Sequence, residues 1–242
     1  MKNRLRIDER MAQLQLAESR EKARALILAG QVLVDGKRVD KAGHTVALES
    51  HIEVLARMPF VGRGGLKLQA ALDHFQIDVA AKICIDVGSS TGGFTDCLLQ
   101  RGASRVYAID VGTGQLDWKL RNDPRVVVRE QVNARYLKPE EFPELMNFAV
   151  MDVSFISTTL ILPVLPPLLK PEATMTILVK PQFELERGQV GKGGIVHDAE
   201  LHQTACQRVA QCVERLGFRA EWIPSPVLGA EGNQEFLLYA RH

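Results

Sequence analysis

No cysteine pair with CxxC spacing occurs in this 242-residue chain, and its four cysteines (Cys84, Cys97, Cys206, Cys212) follow no zinc-ligand pattern. Such cysteines read as reduced, buried small hydrophobes, which points to a reducing compartment. His197 and His202 stand five apart, wrong for two ligands on one helix face, so no metal is expected. The first ten residues are charged throughout and lack the apolar stretch of a signal peptide. The most apolar run, Thr158 to Leu169, is interrupted by Pro163, Pro166 and Pro167, and it falls far short of the roughly 20 residues that span a bilayer. A cytoplasmic protein without a membrane partner is the expectation. A large net charge is missing too: the balance is +1, so no global basicity announces a nucleic acid.

What is present is unevenly spread. Up to Phe60 there are 11 Lys/Arg against 8 Asp/Glu, and beyond it 19 against 21, a basic head on a slightly acidic body. In that head Ile7, Met11 and Leu14 recur at helical spacing, and Ala23, Leu26 and Ile27 repeat the pattern behind Ser19. Ser19 is suited to cap the second helix, Glu21 to face its positive end, and Gly30 to stop it. Asp35-Gly36 between Val32-Leu33-Val34 and Lys37-Arg38-Val39 predicts a tight hairpin, with a further strand near Ile52 to Leu55. Arg20 and Arg24 share a helix face, while Lys37 and Arg38 flank the turn. A solvated surface would have the same charges. The run from Leu16 to Ala23, followed by Ile27 to Val39, resembles an S4 domain, a small α+β RNA-binding module, over about fifty residues. That resemblance implies that Arg20, Arg24, Lys37 and Arg38 face structured RNA.

The Pro/Gly-rich stretch Met58 to Gly65 predicts the boundary between a domain at 1–58 and another at 59–242. Beyond it, β-rich runs (82–87, 105–111, 126–132, 148–153, 174–179) alternate with helical patterns, the longest Ala199 to Leu216, before two late strands near 219–223 and 235–240. Such alternation predicts an α/β fold, a parallel sheet with helices on both faces, and ligands belong at the carboxyl ends of its strands. The loop Asp86-Val87-Gly88-Ser89-Ser90-Thr91-Gly92-Gly93-Phe94 leaves the first of these strands and opens a helix. Its glycines miss the G-x-G-x-x-G dinucleotide fingerprint, which disfavours NAD. Asp110, at the end of the next strand, can accept the two hydroxyls of a ribose, and Asp86 adds negative charge near a sulfonium. Together they favour S-adenosylmethionine, held by Asp86, Gly88, Ser89, Ser90, Gly92, Gly93, Phe94 and Asp110. The same loop satisfies G-x-S-x-G, and Asp152 with His197 would complete a hydrolase triad in chain order. No earlier strands exist to build a hydrolase core, however, and no HGGG-type oxyanion loop is present. Gly188 to Gly194 lacks Walker spacing. It suits a flap in which Lys192 contacts phosphate, or simply a flexible loop.

Four further polar residues stand at strand or helix ends: Lys67, Asp152, Lys180 and Glu235. Methylating a ribose 2′-hydroxyl requires removal of a proton from a very weak acid, and a lysine beside a carboxylate can do this while neutral. With the S4-like head, Arg63-Gly64-Gly65-Leu66-Lys67-Leu68, the 86–94 loop, Asp152 to Phe155, Lys180 to Glu184 and Ser225-Pro226 through Gly232 to Leu237, the chain resembles the TlyA (hemolysin A) family of FtsJ-like ribosomal RNA 2′-O-methyltransferases nearly end to end. The joint departs, with Met58-Pro59-Phe60 in place of a more usual Tyr or Trp beside Val. The resemblance implies a Rossmann-like class I methyltransferase with a mainly parallel seven-stranded sheet behind a small S4 domain. It further implies a Lys67-Asp152-Lys180-Glu235 catalytic set with Lys180 as base, and RNA contacts that add Arg63 and Lys192. The substrate so implied is a cytidine of 16S or 23S ribosomal RNA, naked or in a subunit. Two other roles compete: a catalytically silent RNA-binding or assembly factor, and the lysis suggested by the family's hemolysin label, for which no lipid-active segment is found.

Overall fold

A computed structural model describes residues 4–28, 30–55, 58–229 and 232–242, except for the side chains of residues 187 and 192. The chain divides into two compact units, Met1–Met58 and Pro59–His242.

In the first unit, strand β1 (Arg4–Arg6) runs into helix α1 (Ile7–Gln13), followed by α2 (Arg20–Leu28). The short strands β2 (Val32–Val34), β3 (Lys37–Arg38), β4 (Thr45–Ala47) and β5 (Ile52–Val54) complete it. Ser19 Oγ accepts the main-chain N–H of Lys22 at 3.2 Å, the capping expected of it. Asp35 and Gly36 both take positive φ (50° and 77°), the turn whose twist matches a β2–β3 hairpin. Ile7, Met11, Ala23, Ile27, Val32, Val34, Val46 and Ile52 form the core. Leu14 departs from expectation. It terminates α1 and is exposed, because the chain reverses at Gln15 (φ 56°) and the Leu16 N–H returns to the Met11 carbonyl, so Leu16 packs inward instead. The β1–β4 pair, Arg4 opposite Ala47, has no local signal in the sequence.

The second unit contains α3 (Gly64–His74), β6 (Ile83–Val87), α4 (Gly93–Gln100), β7 (Arg105–Ile109), α5 (Trp118–Arg121), β8 (Val126–Arg129) and β9 (Met146–Met151). These are followed by β10 (Leu169–Val179), α6 (Pro181–Glu184), α7 (Ala199–Arg215), β11 (Arg219–Pro224) and β12 (Phe236–Arg241). The described strands form a seven-stranded sheet in the order β11-β12-β10-β9-β6-β7-β8, in which β12 alone runs against the others, antiparallel to both β10 and β11. The central strands read as continuous apolar runs because both faces are covered. One core packs α7 against the sheet through Cys206, Val209 and Val213, and the other packs α3 and α4 through Leu68, Leu72 and Leu98. All four cysteines are free and buried, and burial pushes the thiols of Cys84, Cys97 and Cys206 up to about 12. Between β9 and β10 the proline-interrupted apolar run forms three 3₁₀ turns at Thr158–Leu160, Leu162–Val164 and Pro166–Leu168. Prolines 163, 166 and 167 have no N–H to continue an α-helical ladder. Among the described residues no helix is long and apolar enough to cross a membrane.

From β6 the chain winds to β7 and β8 on one side, and the strands from β9 onward lie on the other. That reversal opens a crevice at the carboxyl ends of β6 and β9, where such sheets bind ligands.

Candidate functional site

A cleft of about 420 Å³ occupies the crevice, a size within the range of small-molecule sites. Val87, Gly88 and Ser90 form its floor after β6. Ile109, Asp110 and Val111 line it after β7, Val132 to Arg135 after β8, and Asp152 to Ile156 after β9. Gly88 takes φ 85°, and any Cβ there would stand 2.3 Å from the Asp152 carbonyl oxygen, so the two loops can meet only at a glycine. Asp110 accepts the N–H of Ser90 at 2.8 Å with one carboxylate oxygen and that of Gly112 at 2.7 Å with the other. The carboxylate is thereby fixed at the cleft wall, with lone pairs left for ligand hydroxyls. Ser90 Oγ donates to Gln115 at 3.2 Å, tying the β6 loop to the β7 loop. An apolar slot with one oriented carboxylate fits a nucleoside cofactor carrying a free ribose.

A smaller cavity of about 160 Å³ adjoins this cleft, sharing Gly88, Ser90, Asp152 and Ser154 with it and adding Gly64, Ser89, Thr91, Gly93, Phe94 and Lys180. A Cβ on Gly93 would fall 2.9 Å from the Gly65 nitrogen, so the starts of α3 and α4 touch backbone to backbone. Gly92, at φ 96°, packs against Leu116 and Leu120. Gly92 therefore serves the seating of α4 and does not line either cavity. Asp86 also differs from expectation. It is fully buried behind the wall and accepts the Thr95 hydroxyl at 2.6 Å, while its other oxygen has no partner. Burial pushes its carboxyl up to about 7, against the pull of Thr95. A group so placed does not present a full, fixed negative charge to a sulfonium.

The remaining strand ends carry two ion pairs. Lys180 Nζ lies 2.6 Å from Asp152 and 2.8 Å from Ser154 Oγ. Lys67, on α3, pairs with Glu235, and both are buried. Val179 is opposite Phe236 in the β10–β12 ladder, so the register carries Lys180 and Glu235 to adjoining strand ends. The structure thus gathers Lys67, Asp152, Lys180 and Glu235 at one end of the sheet. His197 is exposed and lines neither cavity, which leaves no hydrolase triad.

Several residues at this end were not singled out from sequence. Asn133 and Arg135 line the cleft, and Arg135 lies over the exposed Tyr136 ring at 5.3 Å. Phe155 is 90% exposed at the rim with φ 65°, a strained conformation for an aromatic residue. Buried Asn233 accepts the Val196 N–H and donates to the Gly194 carbonyl, fastening the end of the 188–194 loop that the sequence suggested as a flap. The strand-end position of Asn133 and Phe155 was the available signal. The Lys192 side chain lies outside the described residues. In the first unit Arg24, Lys37 and Arg38 are exposed as expected. Arg20 is exposed too, and also pairs with Asp8 at 3.1 Å and Glu9 at 2.8 Å. With Arg6 it holds the Asp8 carboxyl down at about 2. Arg63 is exposed at the start of α3.

Residues 60–242 match the family model of FtsJ-like methyltransferases. The chain belongs to that family. Residues 5–52 match the S4 domain. A Bacillus subtilis protein provisionally named the rRNA methyltransferase YqxC is 48% identical, over 97% of this chain and 84% of its own length. The 16S/23S rRNA (cytidine-2′-O)-methyltransferase TlyA of Mycobacterium tuberculosis is 44% identical over 100% of this chain and 91% of its own. A solved chain from Streptococcus thermophilus, provisionally named a hemolysin, is 42% identical with a TM-score of 0.77, covering 100% of this chain and 89% of that one. A methyltransferase of this family takes its methyl group from S-adenosylmethionine, which the oriented Asp110 carboxylate and the apolar slot fit.

Proposed function

We propose that this FtsJ-like methyltransferase transfers a methyl group to the ribose 2′-oxygen of a cytidine in 16S or 23S ribosomal RNA. Residues 1–58 act as an S4 RNA-binding domain and 59–242 as the catalytic domain. The observation that carries the reading is the pair of lysine–carboxylate contacts, Lys180–Asp152 and Lys67–Glu235, at the strand ends beside a nucleoside-shaped cleft.

The bound cofactor supplies an electrophilic methyl carbon on its sulfonium. Asp110 would accept hydrogen bonds from the ribose hydroxyls, and Gly88 lets the loop after β6 meet the loop after β9 at the cleft. Lys180 Nζ would accept the proton that the substrate 2′-hydroxyl gives up in methyl transfer. The ammonium so formed has the contacts present in this structure, Asp152 at 2.6 Å and Ser154 at 2.8 Å, so the proton is stabilised where it arrives. Lys67, anchored by Glu235, would add positive charge at the same end of the sheet, favouring the developing oxyanion. Asp152 needs no movement to hold Lys180, because the strand register fixes both. The exposed Phe155 ring offers a face on which an unpaired base can stack at the cleft rim. Arg24, Lys37 and Arg38 supply phosphate contacts from the S4 unit, and Arg20, committed to Asp8 and Glu9, chiefly supports that unit's fold.

The test is transfer of labelled methyl from S-adenosylmethionine to ribosomal subunits from cells lacking the protein, followed by mapping of the modified nucleotide. A 2′-O-methylated cytidine is expected. Folded protein that binds the subunits without incorporating methyl would favour the silent assembly factor.

A further inference from the structure

We propose that Glu184 is a positioning residue, whose buried carboxylate clasps the loop after Asp152 and so fixes the Asp152–Lys180 pair for methyl transfer. The proposal rests on the catalytic reading above and assigns a role to a residue that never touches substrate or cofactor. Lys180 caps the single turn Pro181–Glu184, so Glu184 is rigidly placed relative to it. Its carboxylate is 1% exposed and accepts from Ser157 Oγ at 2.5 Å, the Thr158 N–H at 2.7 Å and Thr158 Oγ1 at 2.8 Å. Ser157 and Thr158 end the loop that Asp152 begins. The two catalytic strand ends are therefore bracketed together, each through its own following segment.

The bracketed loop is under strain. Phe155 holds φ 65° with its side chain exposed, which persists only where the surroundings over-determine it. The second restraint is Phe183, on the same turn as Glu184, whose ring centroid is 5.2 Å from that of Phe155. Ser154, between Asp152 and Phe155, donates nothing to the bracket but meets Lys180 Nζ directly, so any slack in the loop reaches the reacting group. Among the described side chains no cation pairs with the Glu184 carboxylate. Arg208 donates to its main-chain carbonyl instead, at 2.7 Å. A buried carboxylate held by three neutral donors is costly to desolvate, and a neutral side chain could tie down a purely structural loop for less. What the carboxylate adds is two acceptor oxygens in fixed geometry, one for each of two consecutive residues.

The experiment uses the full chain with unmethylated ribosomal subunits, measuring single-turnover methyl transfer, S-adenosylhomocysteine affinity and thermal midpoint on the same preparations. Glu184→Gln replaces one acceptor with a donor that opposes the loop. Its transfer rate is expected to fall roughly ten- to a hundredfold, the scale of a small misplacement of reacting groups, while S-adenosylhomocysteine affinity stays within about threefold because Asp110 and Ser90 are untouched. Thr158→Val should lower the rate in the same direction, and the double variant should be no slower than Glu184→Gln alone, as for two partners of one interaction. A folded Glu184→Gln protein with a rate within about twofold of wild type overturns the proposal. So does a loss of rate that tracks lost cofactor affinity and thermal midpoint. If Glu184→Gln does not fold, Thr158→Val and Ser157→Ala decide by the same criteria. Wild-type protein that transfers no methyl would instead sink the catalytic reading, and the clasp with it.

Discussion

The two sides of the cleft hold their carboxylates by different means. On the side of β7 and β8, main-chain N–H groups do the holding: Ser90 and Gly112 for Asp110, Gly114 and Gln115 for Glu130. Arg121 also bonds Glu130 and is the main reason its carboxyl is held down at about 2, helped by the Gly114 N–H. On the side of β9, β10 and β12, each carboxylate meets a lysine: Asp152 with Lys180, Glu235 with Lys67. Peptide N–H groups do not give up their protons, so the first arrangement makes a permanent acceptor for neutral hydroxyls. A lysine's proton can move, so the second can take part in chemistry. The contrast separates binding from turnover along the strand order, and three substitutions test that separation.

The largest effect is expected from Lys180→Ala. Turnover should fall by roughly 10²–10⁴, the usual worth of a general base, with S-adenosylhomocysteine affinity by calorimetry nearly unchanged. Retained turnover would move the base elsewhere and dissolve the contrast. Next comes Lys67→Ala, which strands Glu235 as an unpaired buried charge. Denaturant unfolding should show a loss of about 3–5 kcal/mol, and replacing both partners by apolar residues should recover much of that stability without recovering turnover. Asp110→Ala should reverse the pattern of Lys180→Ala, weakening cofactor affinity by about 1.5–3 kcal/mol while sparing turnover at saturating cofactor. Equal losses in both quantities would mean the two sides are not separable.

A separate prediction concerns Asp86, beneath both sides. Its folded carboxyl titrates near 7, above the ordinary value of 3.8, because it is buried. The unfolded chain loses this proton first, so Asp86 costs stability progressively as pH rises from about 4 to about 7, and the cost is constant above that. Asp86→Asn should remove the decline. Unfolding free energies of the variant and wild type, compared at pH 5 and pH 8, should differ more at pH 8. A gap independent of pH would place the carboxyl's titration in the ordinary range.

Much of the fold was legible from local pattern. The runs at 82–87 and 105–111, observed as Ile83–Val87 and Arg105–Ile109, read as strands because parallel strands buried on both faces are largely apolar. Ser19 and Asp35-Gly36 announce their capping and turning geometry in their own chemistry. The Asp86-to-Phe94 loop was recognisable as a ligand loop, yet only its contacts separate Gly88, which the Asp152 carbonyl requires, from Gly92, which the α5 leucines require. Thr158 to Leu169 was harder. Its prolines were plain as interruptions, but that it forms 3₁₀ turns came only from the structure.

By itself the sequence determined most of the segments that become strands and helices, where the S4-like head gives way to the α/β body, and which lysines and acids stand at strand ends. These are decided over a few residues, by periodicity, capping and turn chemistry. Only the tertiary structure decided the partners: Lys67 with Glu235 across 168 positions, Arg20 with Asp8, and Glu184 with Ser157 and Thr158. A carboxylate's burial and partner depend on which distant backbone closes over it, and that follows from sheet order and register. No window of neighbouring residues contains that information.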